Sequence, residues 1–502
     1  MMRKKKIYLL LFVVSLVFHT SCDDFLTQSD PSSFTRDNYF VSPEHAESAV
    51  KSIYADLRSV RGGGFGGATW SMLEFATGLA GTELGQATSS LIIRDLENDS
   101  DNAYGSTYWW SHYRGIANAN LAIENIPDIQ MNEDQKNQLL GEARFLRAYY
   151  YYFLVRIFGD VPLILEPIDL TSEQLEPQRS SVAEVYNVIV EDLIWAETQS
   201  GLPYYGTDGR VTLGAVQSLL ASVYLTMAGY PLELGVEYYR LSRDKAAEVI
   251  NSNSYWLFDN YADLKNEETE NTGEHIFMTQ FDASIANHDG LQVFIIPYNQ
   301  GISVYSSETG GIFARREFVE SYEEGDLRAE EKQFYFREFT RASDRDTPYD
   351  MGSYYLYKWF DDEAHLTTGV SGMNWPLLRY AEVLLIFAEA ENEVENGPTP
   401  EAYQAVNLIR ERAELPALSQ LDQNSFREAV WKEKWHELSY ENKTWFDMVR
   451  LRKGFNSNTG EFEDFVGHQF VYGPVLTERE LLFPIPTSEI RNNKNLTQNP
   501  GY

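Results

Sequence analysis

Residues 137–158 read NQLLGEARFLRAYYYYFLVRIF. Leu139, Ala143, Leu146, Tyr150, Phe153 and Ile157 recur at alternating steps of four and three, which gathers them on one face of an α-helix. Gly159 follows at once and supplies a C-terminal stop. The same spacing runs through residues 44–60, 108–126, 182–197, 213–228, 238–251, 377–396, 400–413 and 425–452, so the expected fold is mostly α.

Two of these helices echo each other, Arg144-Phe145-Leu146-Arg147-Ala148 and Arg379-Tyr380-Ala381-Glu382-Val383 sharing an arginine, an aromatic and small or apolar residues in register. Paired helices with small residues at their crossings suggest degenerate tetratricopeptide-like hairpins. Two long stretches break the pattern. Residues 61–107 open with a GGGFGG-containing run and continue polar, and residues 258–376 mix β-rich runs such as 291–296 with loops rich in Gly, Asn and Tyr. Loops that long in a compact domain are functional or disordered, and an aromatic content of 14% argues against disorder.

The N-terminus has its own logic. Residues 1–6 are basic and residues 7–18 (IYLLLFVVSLVF) are continuously apolar. Twelve helical residues span roughly 18 Å, short of the ~30 Å bilayer core, which predicts a signal peptide over residues 1–21 rather than a transmembrane anchor. Cys22 is the single cysteine of the chain, so no internal disulfide can form. Its place after the apolar run resembles the lipidated cysteine of bacterial lipoproteins, with Thr20 and Ser21 fitting that pattern and His19 departing from it. Several acyl chains on one residue give stable membrane attachment. Asp23 and Asp24 resemble the acidic surface-export signals of Bacteroidota lipoproteins.

Of 502 residues, 75 are acidic and 41 basic, a formal charge of −34, and four of the bases lie within residues 3–6. Such a surface repels phosphate backbones and excludes nucleic acid as a partner.

The catalytic motifs are absent or broken. Gly62, Gly64 and Gly67 satisfy G-x-G-x-x-G but follow a helix outside any βαβ unit. The eight histidines have no metal-ligand spacing, and no G-x-S-x-G elbow occurs. Asp95, Glu97, Asp99 and Asp101 alternate like a calcium loop, yet Ser100 replaces the required glycine, so a solvated acidic loop is expected. No cofactor and no metal is implied. A glycosidase carboxylate pair has no sequence signature among so many acidic residues.

The chain resembles the SusD/RagB family of outer-membrane glycan-binding lipoproteins, from Cys22 to the C-terminus. The resemblance is carried by Asp23-Asp24-Phe25-Leu26, residues 110–120 (WSHYRGIANAN), 141–162 (GEARFLRAYYYYFLVRIFGDVP), 210–225 (RVTLGAVQSLLASVYL), 322–328 (YEEGDLR), 379–391 (RYAEVLLIFAEAE), 437–450 (ELSYENKTWFDMVR) and 482–502 (LFPIPTSEIRNNKNLTQNPGY). Ser439-Tyr440 departs from the more apolar pair common there. The resemblance implies a superhelix of four tetratricopeptide-like hairpins supporting an irregular half, with an N-terminal helical region over residues 22–257. It implies a C-terminal region, 258–502, whose irregular part at 258–376 carries ligand loops. It also implies a cell-surface protein that captures oligosaccharide and passes it to a SusC-like TonB-dependent transporter. The alternatives are a surface glycoside hydrolase or lyase and a tetratricopeptide scaffold for protein assembly.

The tryptophans Trp110, Trp359, Trp375, Trp431, Trp435 and Trp445 lie in or beside helical motifs and are expected in the core. Trp70, Tyr104, Trp109, Tyr298 and Tyr305 lie in the two long loops and are the candidate stacking platform, since sugar rings present C–H faces to aromatic planes. Asn299, beside Tyr298, is a candidate amide contact. Glu83 and Arg94 are candidates by the resemblance, which places acidic and basic ligand contacts between the first two helices.

Overall fold

The computed structural model describes residues 39–61, 66–83, 88–168, 175–284 and 289–502; Cys22 and the expected signal peptide lie outside them. The chain is mostly helical with short sheets, as the periodicities predict.

The helical half is a run of helices that pack on their neighbours. α1 (Pro43–Asp56) leads through α2 (Gly66–Ala76), β1 (Ala80–Gly81) and α3 (Thr88–Arg94) to α4 (Ala103–Asn125) and α5 (Glu133–Phe158). α6 (Val182–Gln199), α7 (Leu213–Ala228) and α8 (Val236–Asn251) follow. α1 packs on α4, α4 on α5, α5 on α6, α6 on α7 and α7 on α8, the nearest-neighbour order of stacked hairpins.

α5 shows how the sequence makes such an element. Asn132 accepts the Gln135 amide as N-cap, Glu133 and Asp134 sit in the first turn, and Gly159, at φ 72°, ends the helix. Its two motif arginines, Arg147 buried and Arg144 half-buried, are struts between helices. Arg147 donates Nε and Nη2 to Asp192 of α6 at 2.7 and 2.8 Å and Nη1 to Asn120 of α4 at 2.9 Å, while Arg144 reaches Asp192 at 2.7 Å.

The second half opens with β2 (His275–Thr279), β3 (Phe313–Ala314), α9 (Arg316–Val319), the hairpin β4 (Tyr335–Arg341) and β5 (Asp344–Leu356), and β6 (Trp375–Arg379). α10 (Tyr380–Val394), α11 (Pro400–Arg412), α12 (Gln423–Glu437), α13 (Thr444–Leu451), β7 (Lys453–Asn456), β8 (Glu461–Asp464) and α14 (Thr487–Asn492) complete the chain. All sheets are antiparallel, the four-stranded one in the order β1-β3-β5-β4. α10 packs against α8, so the two halves share one continuous apolar core.

Four sequence expectations fail here for local reasons. The predicted loop at 61–107 is largely helical, because Gly67 lets α2 approach the 290–294 segment so closely that a Cβ would stand 2.9 Å from Leu291 Cα. The run 291–296 is a buried 3₁₀ turn instead of a strand. The 425–452 helix breaks at Tyr440 and Asn442, both with φ near 57°. Arg379, matched with Arg144 in the motif echo, ends a strand with φ −120° and precedes its helix, so the two motifs occupy different structural positions.

Candidate functional site

Residues 293–296 and 309–312 run side by side, with Thr309 N donating to Val293 O, Gly310 N to Ile296 O and Ile312 N to Phe294 O. They close the neck of an excursion that begins at Pro297. Inside it, the buried Glu308 carboxylate accepts the amides of Gly301 (2.6 Å) and Ser303 (2.8 Å). A carboxylate accepting two backbone amides fixes a loop that has no regular secondary structure of its own.

The loop rests on His365. The imidazole bonds Ser303 Oγ (2.9 Å) and Gln292 Oε1 (3.2 Å) and stacks on Phe360 at 4.0 Å between centroids. Burial pushes its pKa well below the usual histidine range, so it stays neutral. From the other side the β4–β5 turn holds the loop, with Ala342 N on Gly301 O (2.7 Å) and Arg345 Nη1 on Ile302 O (2.8 Å).

The outer surface of this frame is polar and aromatic. Tyr298 is 50% exposed and is followed by exposed Asn299 and Gln300. Gln300 Oε1 accepts the Tyr349 hydroxyl at 2.8 Å, and the Arg341 guanidinium lies 4.0 Å over the Tyr349 ring. Glu83, just beyond β1, ties the loop to the sheet by accepting Tyr298 N (2.9 Å) and the Tyr355 hydroxyl (2.5 Å). Burial, with the Glu83 carboxylate beside it, pushes the Tyr355 phenol up. Tyr305 packs its ring 5.1 Å from His365, and its buried hydroxyl has no hydrogen-bond partner.

The structure therefore brings Glu83, Tyr298, Asn299 and Tyr305 onto one loop frame, and separates the other four candidates from it. Trp70 is 1% exposed in α2, edge-on to Trp375 at 5.4 Å with Arg61 above both rings. Tyr104 and Trp109 are helical and buried, because Asn102 caps α4 and starts it ahead of them. Tyr104 bonds Ser90 at 2.9 Å, and Trp109 packs on Tyr113 and Phe158. These three rings are buried, whereas that of Tyr298 is half exposed. Arg94 is closed on its neighbour Asp95 by two 2.7 Å bonds, beside Tyr472.

Gln300, Arg341 and Tyr349 were missed from sequence, although Tyr349 sits in a tyrosine-rich β5 that could have marked them. Trp110, expected in the core, is 57% exposed with Arg114 stacked 4.2 Å over its ring. A step of one residue turns a helix by about 100°, so Trp109 faces inward and Trp110 outward. Among the described residues no cluster of three or more His, Cys, Asp or Glu is placed to hold a metal.

Known proteins converge on this architecture. Residues 328–502 match the model described as the SusD family, and residues 25–225 the one described as starch-binding associating with outer membrane. SusD-like protein P2 of Formosa agariphila is 28% identical over 99% of this chain and 100% of its own. The starch-binding protein SusD of Bacteroides thetaiotaomicron is 25% identical over 72% of each chain. A crystal structure of a SusD superfamily protein from Parabacteroides distasonis superposes with a TM-score of 0.88 at 38% identity, covering 94% of this chain and all of the other. With that identity sustained along nearly the whole length, this chain belongs to the SusD family.

Proposed function

We propose that this protein is an outer-membrane, cell-surface lipoprotein that binds an oligosaccharide without transforming it and delivers it to a SusC-like TonB-dependent transporter. The observation that carries the reading is the Tyr298 loop, an exposed ring flanked by the exposed amides of Asn299 and Gln300, the latter oriented by Tyr349, and held from beneath by Glu83, Glu308 and His365. A rigid aromatic platform with convergent polar groups suits a sugar ring, whose C–H face stacks while its hydroxyls take hydrogen bonds. One relative is a starch-binding protein, and one matching family is described as starch-binding. In this reading residues 22–257 are the scaffold, and 258–376 within 258–502 form the ligand face.

The platform is tested by affinity electrophoresis and calorimetry against a panel of soluble glycans. Tyr298→Ala is expected to weaken glycan binding roughly ten- to a hundredfold, the loss of one stacked ring, while the melting temperature holds because the ring is half exposed. Unchanged affinity in Tyr298→Ala and Asn299→Ala would remove the platform, and release of reducing ends by the wild-type protein would replace binding by hydrolysis.

Anchoring rests on Cys22. Acyl chains there would tether the chain at high effective concentration over a transporter, so a modest interface would keep it docked. Cys22→Ala is expected to move the protein from the outer-membrane fraction to the soluble fraction in cells lacking the transporter; retention in the membrane would overturn the anchor.

A further inference from the structure

A concavity of about 510 Å³ opens among the end of α5, the start of α6, the end of α7, α13 and the C-terminal tail, and shares no residue with the Tyr298 loop. That volume is within the roughly 300–1,000 Å³ of small-molecule sites and far beyond the ~30 Å³ share of one water, so it is too roomy for a lone ion. Its walls include the apolar Val155, Phe446 and Leu482 and the rings of Tyr186 and Tyr230.

Its charges run against the character of the chain. In a protein of net charge −34, the cavity is lined by Arg156, Arg179, Arg450, Arg452 and Arg479 against only Asp160 and Glu478. Three of the arginines are occupied. Arg450 is neutralised by Glu389 (2.6 and 3.0 Å) and Asp447 (2.8 Å). Arg179 bonds the carbonyls of Asp160, Thr497 and Phe158 and the Asn499 side chain. Arg479 holds the carbonyls of Leu96 and Asn98 and stands 3.3 Å from Glu480.

The other two are not. The Arg156 guanidinium is sandwiched between Tyr152 (3.5 Å) and Phe446 (3.6 Å), and its one protein hydrogen bond runs from Nε to Tyr152 O. Arg452 lies 3.1 Å over the Tyr230 ring, with Nε and Nη1 buried and without a hydrogen-bond partner; the exposed Glu478 approaches Nη1 only to 3.5 Å. Those two sealed Arg452 nitrogens cannot reach a ligand; the donors left open to the cavity are the Nη groups of Arg156 and Nη2 of Arg452, which make no protein hydrogen bond, and an oxyanion is the group that suits such guanidinium donors.

We infer that this cavity is a second binding site, selective for a sugar-sized anion, in which Arg156 and Arg452 take the carboxylate of a uronic acid or the sulfate of a sulfated sugar. The Tyr230 and Tyr186 rings and the apolar walls receive the rest of the ring. The inference is independent of the Tyr298 platform, which has no part in it.

The test is calorimetry and thermal denaturation of the full chain with sodium glucuronate, galacturonate and glucose 6-sulfate, with glucose and inorganic sulfate as controls. At least one acidic sugar is expected to bind, to raise the melting temperature by mass action and to weaken with added salt. Arg156→Gln and Arg452→Gln are each expected to lower that affinity roughly ten- to a hundredfold. Glu478→Gln, at a position 76% exposed, is expected to strengthen it by removing the competing carboxylate. Acidic-sugar binding persists in Tyr298→Ala, so failure of one site is distinguishable from failure of the other. No binding by any acidic sugar, equal binding of glucose, binding of inorganic sulfate with no gain from the sugar, or affinity indifferent to Glu478→Gln and to the arginine variants would each overturn the inference.

Discussion

Replacing Arg379 with methionine is expected to cost about 3–5 kcal/mol of folding stability, the penalty for removing one partner from a buried ion network. Arg379 is 1% exposed and donates to Glu441 from Nε (2.9 Å) and Nη2 (2.7 Å), to Glu437 at 3.1 Å and to Glu274. Arg412 shares Glu274 (2.5 Å) and Glu437 (2.8 Å), Arg328 joins Glu437 to Asp326 and Glu433, and Lys358 reaches Glu441. Glu274 precedes β2, Glu437 ends α12 and Glu441 lies in the break after it, so one guanidinium fastens three chain segments. Without it three carboxylates stay buried with too few cations, and their desolvation is no longer offset.

The same network sets an acid dependence. Burial pushes the Glu437 carboxyl up, but Arg412, Arg379 and Arg328 outweigh it and hold it at about 2, below the ordinary 4.5. A depressed pKa contributes stability that is present above pH 4.5 and lost as pH falls toward 2. Urea denaturation of both proteins at pH 7 and pH 4 checks this. The gap between wild type and Arg379→Met should narrow at the lower pH, where Glu437 and Glu441, no longer held by Arg379, take up protons. A deficit under about 1 kcal/mol at pH 7 would show that the network adds little beyond surface pairs.

Trp445→Ala is expected to destabilise by a similar ~3–5 kcal/mol through the cavity it leaves, with glycan binding unaffected at saturating folded protein. The indole is 1% exposed in α13 and meets Phe465 and Phe483 edge-on at 5.7 and 5.9 Å. It also lines, with Ala76, Ile93 and Tyr502, a small void where α2, α3 and the C-terminal tail converge. Its buried Nε1 has no hydrogen-bond partner. Trp445→Phe therefore forfeits packing but no hydrogen bond, and should cost much less than alanine. Equal losses for the two variants in thermal melts, or a loss of glycan affinity in either, would contradict a purely packing role.

These two residues explain what the family motifs are for. Segments 322–328, 379–391 and 437–450 carried the resemblance, and the structure turns them into Arg328, Arg379, Glu437 and Glu441 of the network and Trp445 of the core. The strongest sequence signals thus mark the scaffold. The loop frame around Tyr298 has weaker ones: a tyrosine followed by Asn-Gln, and a glutamate 215 positions upstream that bonds its amide.

Helix identity, the end of α5 at Gly159 and the helical class were legible because periodicity and capping are local, set by residues three or four apart. Glu83 and Tyr298 could be singled out by resemblance and by composition, but their meeting could not be read from either. Whether an aromatic faces solvent was decided by tertiary structure alone. Trp109 and Trp110 are chain neighbours with opposite fates, and Trp70 is buried because α2 packs onto the 290–294 segment and Trp375. The sequence by itself determined which segments coil and which residue types are available. Only the packed chain decided which ring faces, guanidinium forks and carboxylates remain unpaired, because exposure and partnership depend on contacts between positions hundreds of residues apart.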